Sequence, residues 1–137
     1  MAYMNQEKKK VINEELKPVL AKYNLKGSLR TDYYSITLTI RKGNIDFISN
    51  WKENLTDEEK SRINYSLDKV DSLDVNCYWI DKTFSGKVKE CLHDIVKAMK
   101  AAGYYNNSDI MTDYFDVAYY FNIKVGNWDK PYMLIES

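Results

Sequence analysis

The sequence predicts an α+β fold: a largely antiparallel sheet of about five to six strands with two long helices packed on one face. Three observations lead there. Apolar residues recur at helical spacing over 12–23 and 88–99. They alternate with period two over 34–41 and 114–125. The element order of helices and strands buries most apolar surface when both long helices lie on one side of one sheet. At 137 residues the chain has the length of one domain, 1–137.

The first helix is expected from Asn5 to Tyr23, with Ile12, Leu16, Val19, Leu20 and Tyr23 as its apolar stripe. Pro18 removes one backbone hydrogen bond, so a kink or restart is expected near Lys17. Asn24 and Gly27 supply the stop. Gly27–Thr31 and Tyr34–Arg41 read as strands joined by a turn at Asp32-Tyr33. Ile45 to Ile48 reads as a third, short strand.

Thr56-Asp57-Glu58-Glu59 is a capping box that opens a short helix with Ile63, Leu67 and Val70 on its apolar face. Leu73, Val75, Cys77 and Trp79 alternate as a strand. Thr83 or Ser85 caps the second long helix, which runs to about Ala102. Val88, Leu92, Ile95, Val96 and Met99 form its buried stripe, and Gly103 ends it. A polar loop leads to the long strand Tyr114–Val125, with Phe115, Val117, Tyr119, Phe121, Ile123 and Val125 on one face. Gly126-Asn127 is a turn, and Tyr132–Ile135 returns as the last strand.

The apolar share of 45% and charged share of 29% belong to globular proteins. A domain of this length buries roughly 65–70% of its unfolded surface. Net charge is zero, which disfavours a strongly basic nucleic-acid binder and a highly acidic DNA mimic alike, though it leaves local patches open. Two cysteines, Cys77 and Cys91, have no CxxC partner and read as reduced thiols, at least Cys77 buried, in a reducing compartment. No apolar run reaches membrane-spanning length, and Met1–Lys10 lacks the apolar stretch of a signal peptide, so a cytoplasmic location is expected.

The densest polar cluster is Asn106-Asn107-Ser108-Asp109, Thr112-Asp113 and Asp116. Its three carboxylates could bind a hard cation or place a general base. They lack the glycine and final glutamate of a calcium loop, and such residues commonly tie down a loop's own amides. No metal or cofactor is assigned. The lone His93 lies beside its helix stripe, without a neighbouring nucleophile that would make a hydrolase triad. There is no phosphate-cradling glycine motif.

Twelve tyrosines raise the aromatic share to 14%. Strand alternation sends Tyr114 and Tyr120 to the face opposite Phe115 and Tyr119. If helices cover one side of the sheet, those rings lie on the open side. There they could anchor a protein partner or stack unpaired bases, or simply pair across strands.

The C-terminal third, Asn107-Ser108-Asp109, Thr112-Asp113-Tyr114-Phe115-Asp116 and Gly126 with Trp128-Asp129-Lys130-Pro131-Tyr132, resembles a family of small uncharacterised proteins from bacteriophages and related mobile elements. A second block covers the Lys-rich first helix to Tyr23, Ile36–Ile40, and Gly43 with Ile45-Asp46-Phe47. Together they span about two thirds of the chain. The chain departs from the family pattern at Tyr104 and Asn106, where relatives carry Asn and Asp, and Trp51–Ser72 has no counterpart. The resemblance implies a phage-type accessory protein in a bacterial cytoplasm. Such a protein would act by non-catalytic binding that inhibits a defence or host complex, a CRISPR effector among them. The expected partner is a bacterial protein or ribonucleoprotein complex, and the expected patch is Tyr104, Tyr105, Asp109, Asp113, Tyr114, Asp116 and Trp128. The alternatives are a single-stranded nucleic-acid binding module that uses an aromatic sheet face, and a metal-dependent enzyme using Asp109, Asp113 and Asp116.

Overall fold

The structure, a computed structural model, describes residues 3–62, 72–75, 77, 80–104, 118–127 and 130–135. It has an α+β fold built on a five-stranded, mostly antiparallel sheet. The elements are α1 (Gln6–Lys22), β1 (Leu25–Thr31), β2 (Ser35–Gly43), α2 (Phe47–Glu53), α3 (Asp57–Arg62), β3 (Leu73–Val75), α4 (Ile80–Thr83), α5 (Gly86–Met99), β4 (Tyr120–Val125) and β5 (Met133–Leu134).

Helix α1 starts where the Asn5 side chain accepts a 2.8 Å hydrogen bond from the Lys8 amide. It runs as one element through Pro18, without the restart that is one of the two expectations near Lys17. Asn24, at φ 54, ends it in the left-handed region that asparagine tolerates. Gly27 has a different task. It sits in β1 beside an irregularity in the β1–β2 register, where a Cβ would come 2.7 Å from the Thr39 carbonyl oxygen. Only a residue without a side chain lets the two strands approach there.

The expected strand at Ile45–Ile48 is a helix start. Asp46 Oδ1 accepts from the Ser49 amide at 3.0 Å, and Asp46 Oδ2 accepts from the Ser49 hydroxyl at 2.7 Å. This cap outweighs the β preference of the isoleucines around it. The capping box at α3 is complete: the Glu59 amide donates to Thr56 Oγ1 at 3.1 Å, and the Thr56 amide donates to Glu59 Oε1 at 3.2 Å. Ile63, Leu67, Val70 and Trp79 lie outside the described residues.

The strand order is β1-β2-β4-β3, with β5 added beside β2. β1 pairs β2 and β3 pairs β4 antiparallel, whereas β2 runs parallel to β4. The expected hairpin between β4 and the last strand does not form. Gly126, at φ 71, turns the chain so that a Cβ would land on the Tyr132 amide nitrogen. Asn127 and Lys130 close the tight turn with two backbone hydrogen bonds of 2.8 and 3.1 Å. The chain then continues along β2, with Met133 opposite Lys42 and Leu134 opposite Gly43 in parallel register. Tyr132 fixes this path: its buried hydroxyl donates to the Ile45 carbonyl at 2.7 Å.

One buried cluster joins Ile12 and Leu16 of α1 and Val88, Cys91, Leu92, Ile95 and Met99 of α5 to Ile36, Leu38, Ile40, Ile123 and Val125 of the sheet. Both long helices therefore cover one face. They are tied at one end by the Tyr23 hydroxyl, which donates to Asp94 at 2.7 Å, and by the Lys22–Asp94 ion pair at 3.6 Å. Cys91, not Cys77, is the fully buried thiol, and burial pushes its pKa up to about 12. Cys77 is half-buried, and both cysteines are free. Among the described residues no helix is long and apolar enough to cross a membrane.

Candidate functional site

The face of the sheet turned away from the helices is built rung by rung by strand register. Alternation along β2 sends Ile36, Leu38 and Ile40 into the core and turns Ser35, Thr37 and Thr39 outward. Ser35 lies beside Tyr120. The next rung is Arg30, Thr37 and Asn122. After it come Ser28, Thr39, Lys124 and Asp74. The last rung pairs Lys26 with Lys42, next to Arg41, the extra residue at the register shift. The Arg41 guanidinium reaches back over this face to donate to Ser28 Oγ at 3.1 Å.

Among the described residues the face carries Lys26, Arg30, Arg41, Lys42 and Lys124 against two carboxylates, Asp74 and Asp32, the latter beside Arg30, Ser35 and Thr37: five cations to two anions in a chain of 20 cations and 20 anions. Asp74 lies 3.9 Å from Lys124 in an exposed ion pair. A solvated outer sheet face with basic edges is common in proteins and guards strands against false pairing. The imbalance is larger than that role requires, because Arg41 and Lys42 lie on a strand that is paired on both sides.

Exposed tyrosines gather at one end of this face. Tyr120 is 48% exposed, on the outward side as strand alternation predicts. Its amide donates to the Tyr34 carbonyl at 2.8 Å, the Met4 amide donates to the Tyr33 carbonyl at 2.8 Å, and the Tyr3 amide donates to the Ala118 carbonyl at 2.9 Å. These bonds bring Tyr3, Tyr33, Tyr34 and Tyr120 to one end of the sheet, all exposed. The Tyr33 and Tyr34 rings lie 6.2 Å apart, and Lys8 sits 5.0 Å above the Tyr3 ring. Strand alternation marked Tyr120 as outward but gave no sign that Tyr3, Tyr33 and Tyr34 join it. The contact between the first residues and the start of β4 is a tertiary one.

Of the expected loop patch, Tyr104 is described. It is half-buried, with its ring edge-on to Tyr119 and Phe121 at 5.3 Å each and Lys100 5.3 Å above it. That is a position at the rim of the core. Tyr105, Asp109, Asp113, Tyr114, Asp116 and Trp128 lie outside the described residues. Among the described residues no group of three or more His, Cys, Asp or Glu side chains could hold a metal.

His93 is exposed, as expected, and its Nε2 lies 2.6 Å from Asp81 Oδ1, with Lys89 3.5 Å from the same oxygen. The hydrogen bond with His93 holds the Asp81 carboxyl below the usual carboxylate range. With no nucleophile in this cluster, it is a surface link between α4 and α5. A cleft of about 300 Å³ between α2, α3, β3 and α4 is lined by Trp51, Leu55, Leu73 and Phe84, with polar groups at its rim.

No family model matches the chain, and neither a curated protein nor a solved structure shows significant similarity to it.

Proposed function

We propose that this chain is a non-catalytic interaction protein whose uncovered sheet face, together with the tyrosines at its end, captures a macromolecular partner. The partner class is the one the phage-type resemblance implies, a bacterial protein or ribonucleoprotein complex of defence or host metabolism, which binding would inhibit. The observation that supports this most is the asymmetry of the sheet. One face is filled by α1 and α5, while the other presents five cations and the exposed Tyr120, with Tyr3, Tyr33 and Tyr34 at the same end of the sheet. Tyrosine anchors give much contact area for little conformational entropy, and a one-signed patch speeds and orients encounter.

The expected patch at Tyr105, Asp109, Asp113, Tyr114, Asp116 and Trp128 remains a second proposed contact, supported by the resemblance. Tyr104 is better placed to hold the end of α5 against β4 than to meet a partner.

The test is affinity capture from phage-infected, defence-bearing bacteria with the wild-type chain and two variants, Arg41→Glu and Tyr120→Ala. Both substitutions fall on exposed side chains, so thermal midpoints should stay nearly unchanged. The reading requires a specific complex that both variants lose. The same proteins retained by wild type and variants alike would refute it. Alanine at Tyr105 and Trp128 tests the second contact in the same way.

A further inference from the structure

We infer that what this face recognises is single-stranded nucleic acid, with phosphates over the Arg30, Arg41 and Lys42 part and bases against Tyr120 at the tyrosine end. The inference rests on the reading above and names its ligand chemistry.

Three features favour this occupant over an acidic protein. The first is charge: among the described residues this face of a neutral chain carries five cations to two anions, and a polyanion complements that excess. The second is what stands between the cations. The central rungs carry Ser28, Thr37, Thr39 and Asn122, which are hydroxyls and an amide. A protein interface needs an apolar centre that excludes water, and these rungs have none. Phosphate and sugar oxygens, in contrast, are commonly held by Ser, Thr and Asn alongside Arg and Lys.

The third feature is shape. From Ser35 to Lys42 the face is roughly 23 Å long, at about 3.3 Å per residue, and three to four strands give it a width of about 10–14 Å. That is a track for one strand of about four nucleotides, within the site sizes of sheet-based single-strand binders. Among the described residues the base-stacking side chain of this face, Tyr120, lies at one end, so the bound strand is gripped by its bases there and by its backbone along the cationic rungs. A duplex keeps its bases paired and stacked on one another, so it would leave Tyr120 unused.

The test is fluorescence anisotropy with labelled oligothymidylate and oligouridylate of about 12 nucleotides, and with a duplex of equal length. Binding to the single strands should be measurable at about 50 mM salt and stronger than to the duplex. Affinity should fall with salt at a log–log slope of about −0.7 per cation engaged, so about −3 for four. Arg41→Ala should make the slope shallower by about 0.7. Tyr120→Ala should weaken binding roughly tenfold while leaving the slope unchanged. Lys10→Ala, an exposed cation on α1, should change neither. No binding of single strands at low salt, equal binding of the duplex, or a slope indifferent to Arg41 would overturn the inference. If oligonucleotides fail to bind while Arg41→Glu and Tyr120→Ala still lose the captured complex, this inference falls and the interaction-protein reading stands. If the complex is retained as well, both fall.

Discussion

The Tyr119 hydroxyl donates a 2.6 Å hydrogen bond to the Met99 carbonyl, fastening the entry of β4 to the last turn of α5. Tyr119 is fully buried and its chain neighbour Tyr120 is half exposed, so two adjacent tyrosines divide their work between core and surface. Carbonyls at a helix C-terminus lack intrahelical partners, and here a side chain from the sheet supplies one. Tyr119→Phe keeps the ring and strands a buried acceptor, which should cost about 1–3 kcal/mol. Urea unfolding checks this. An unchanged midpoint would mean that water satisfies the carbonyl equally well. Partner capture should be unaffected, because the outward face is not altered.

Gly126→Ala should be among the most damaging single substitutions. Its φ of 71 disfavours any L side chain, and the new Cβ would collide with the Tyr132 backbone, which cannot rotate away. The expected loss is at least about 2 kcal/mol. The damage should be local to β5 first, since Tyr132 anchors that strand through Ile45. Hydrogen exchange should show the Ile135 amide, bonded to the Gly43 carbonyl at 2.8 Å, losing protection before the β1–β2 amides. Equal loss across the sheet would contradict this order.

Asp46→Ala removes both bonds that start α2 and should cost about 1 kcal/mol. Asp46→Ser should restore part of it, because serine also caps. A cost from alanine that serine does not reduce would show that Asp46 acts through its charge. This residue also shows where sequence reading gave out. Ile45-Asp46-Phe47-Ile48 alternates like a strand, and only the Asp46–Ser49 contact reveals a helix start.

The two amphipathic helices, the β1–β2 hairpin and the inward set Tyr119, Phe121, Ile123 and Val125 were legible because each depends on a local period. The parallel pairing of β2 with β4 was not, since nothing in either strand encodes which neighbour it meets. The same limit hid the open face. Arg30, Thr37 and Asn122 are far apart in sequence, and only the register of three strands sets them side by side. Net charge, which is zero, gave no hint of a face with five cations and two anions among the described residues. The outward placement of Tyr120 was legible from alternation alone, but not the tyrosines that join it from Tyr3 and the hairpin.

Alkaline pH should unfold this protein earlier than its tyrosine count alone suggests. Burial pushes Tyr119 and Cys91 up to about 12, and Tyr132 is raised for the same first reason. Tyr23 is raised first by its hydrogen bond to the Asp94 carboxylate and then by burial. In the unfolded chain these groups ionise near 10.0 for tyrosine and 9.0 for cysteine. A raised folded pKa means the fold favours the neutral form. Its contribution is whole below the unfolded value and is lost as pH rises towards the folded one. Urea midpoints should therefore hold from about pH 7 to about pH 9 and then fall steadily up to about pH 11. The gap between wild type and Tyr119→Phe should narrow over that range, because the variant has one ionisable phenol fewer to lose. A midpoint flat to about pH 11, or a gap that does not narrow, would show that these hydroxyls reach water in the folded state.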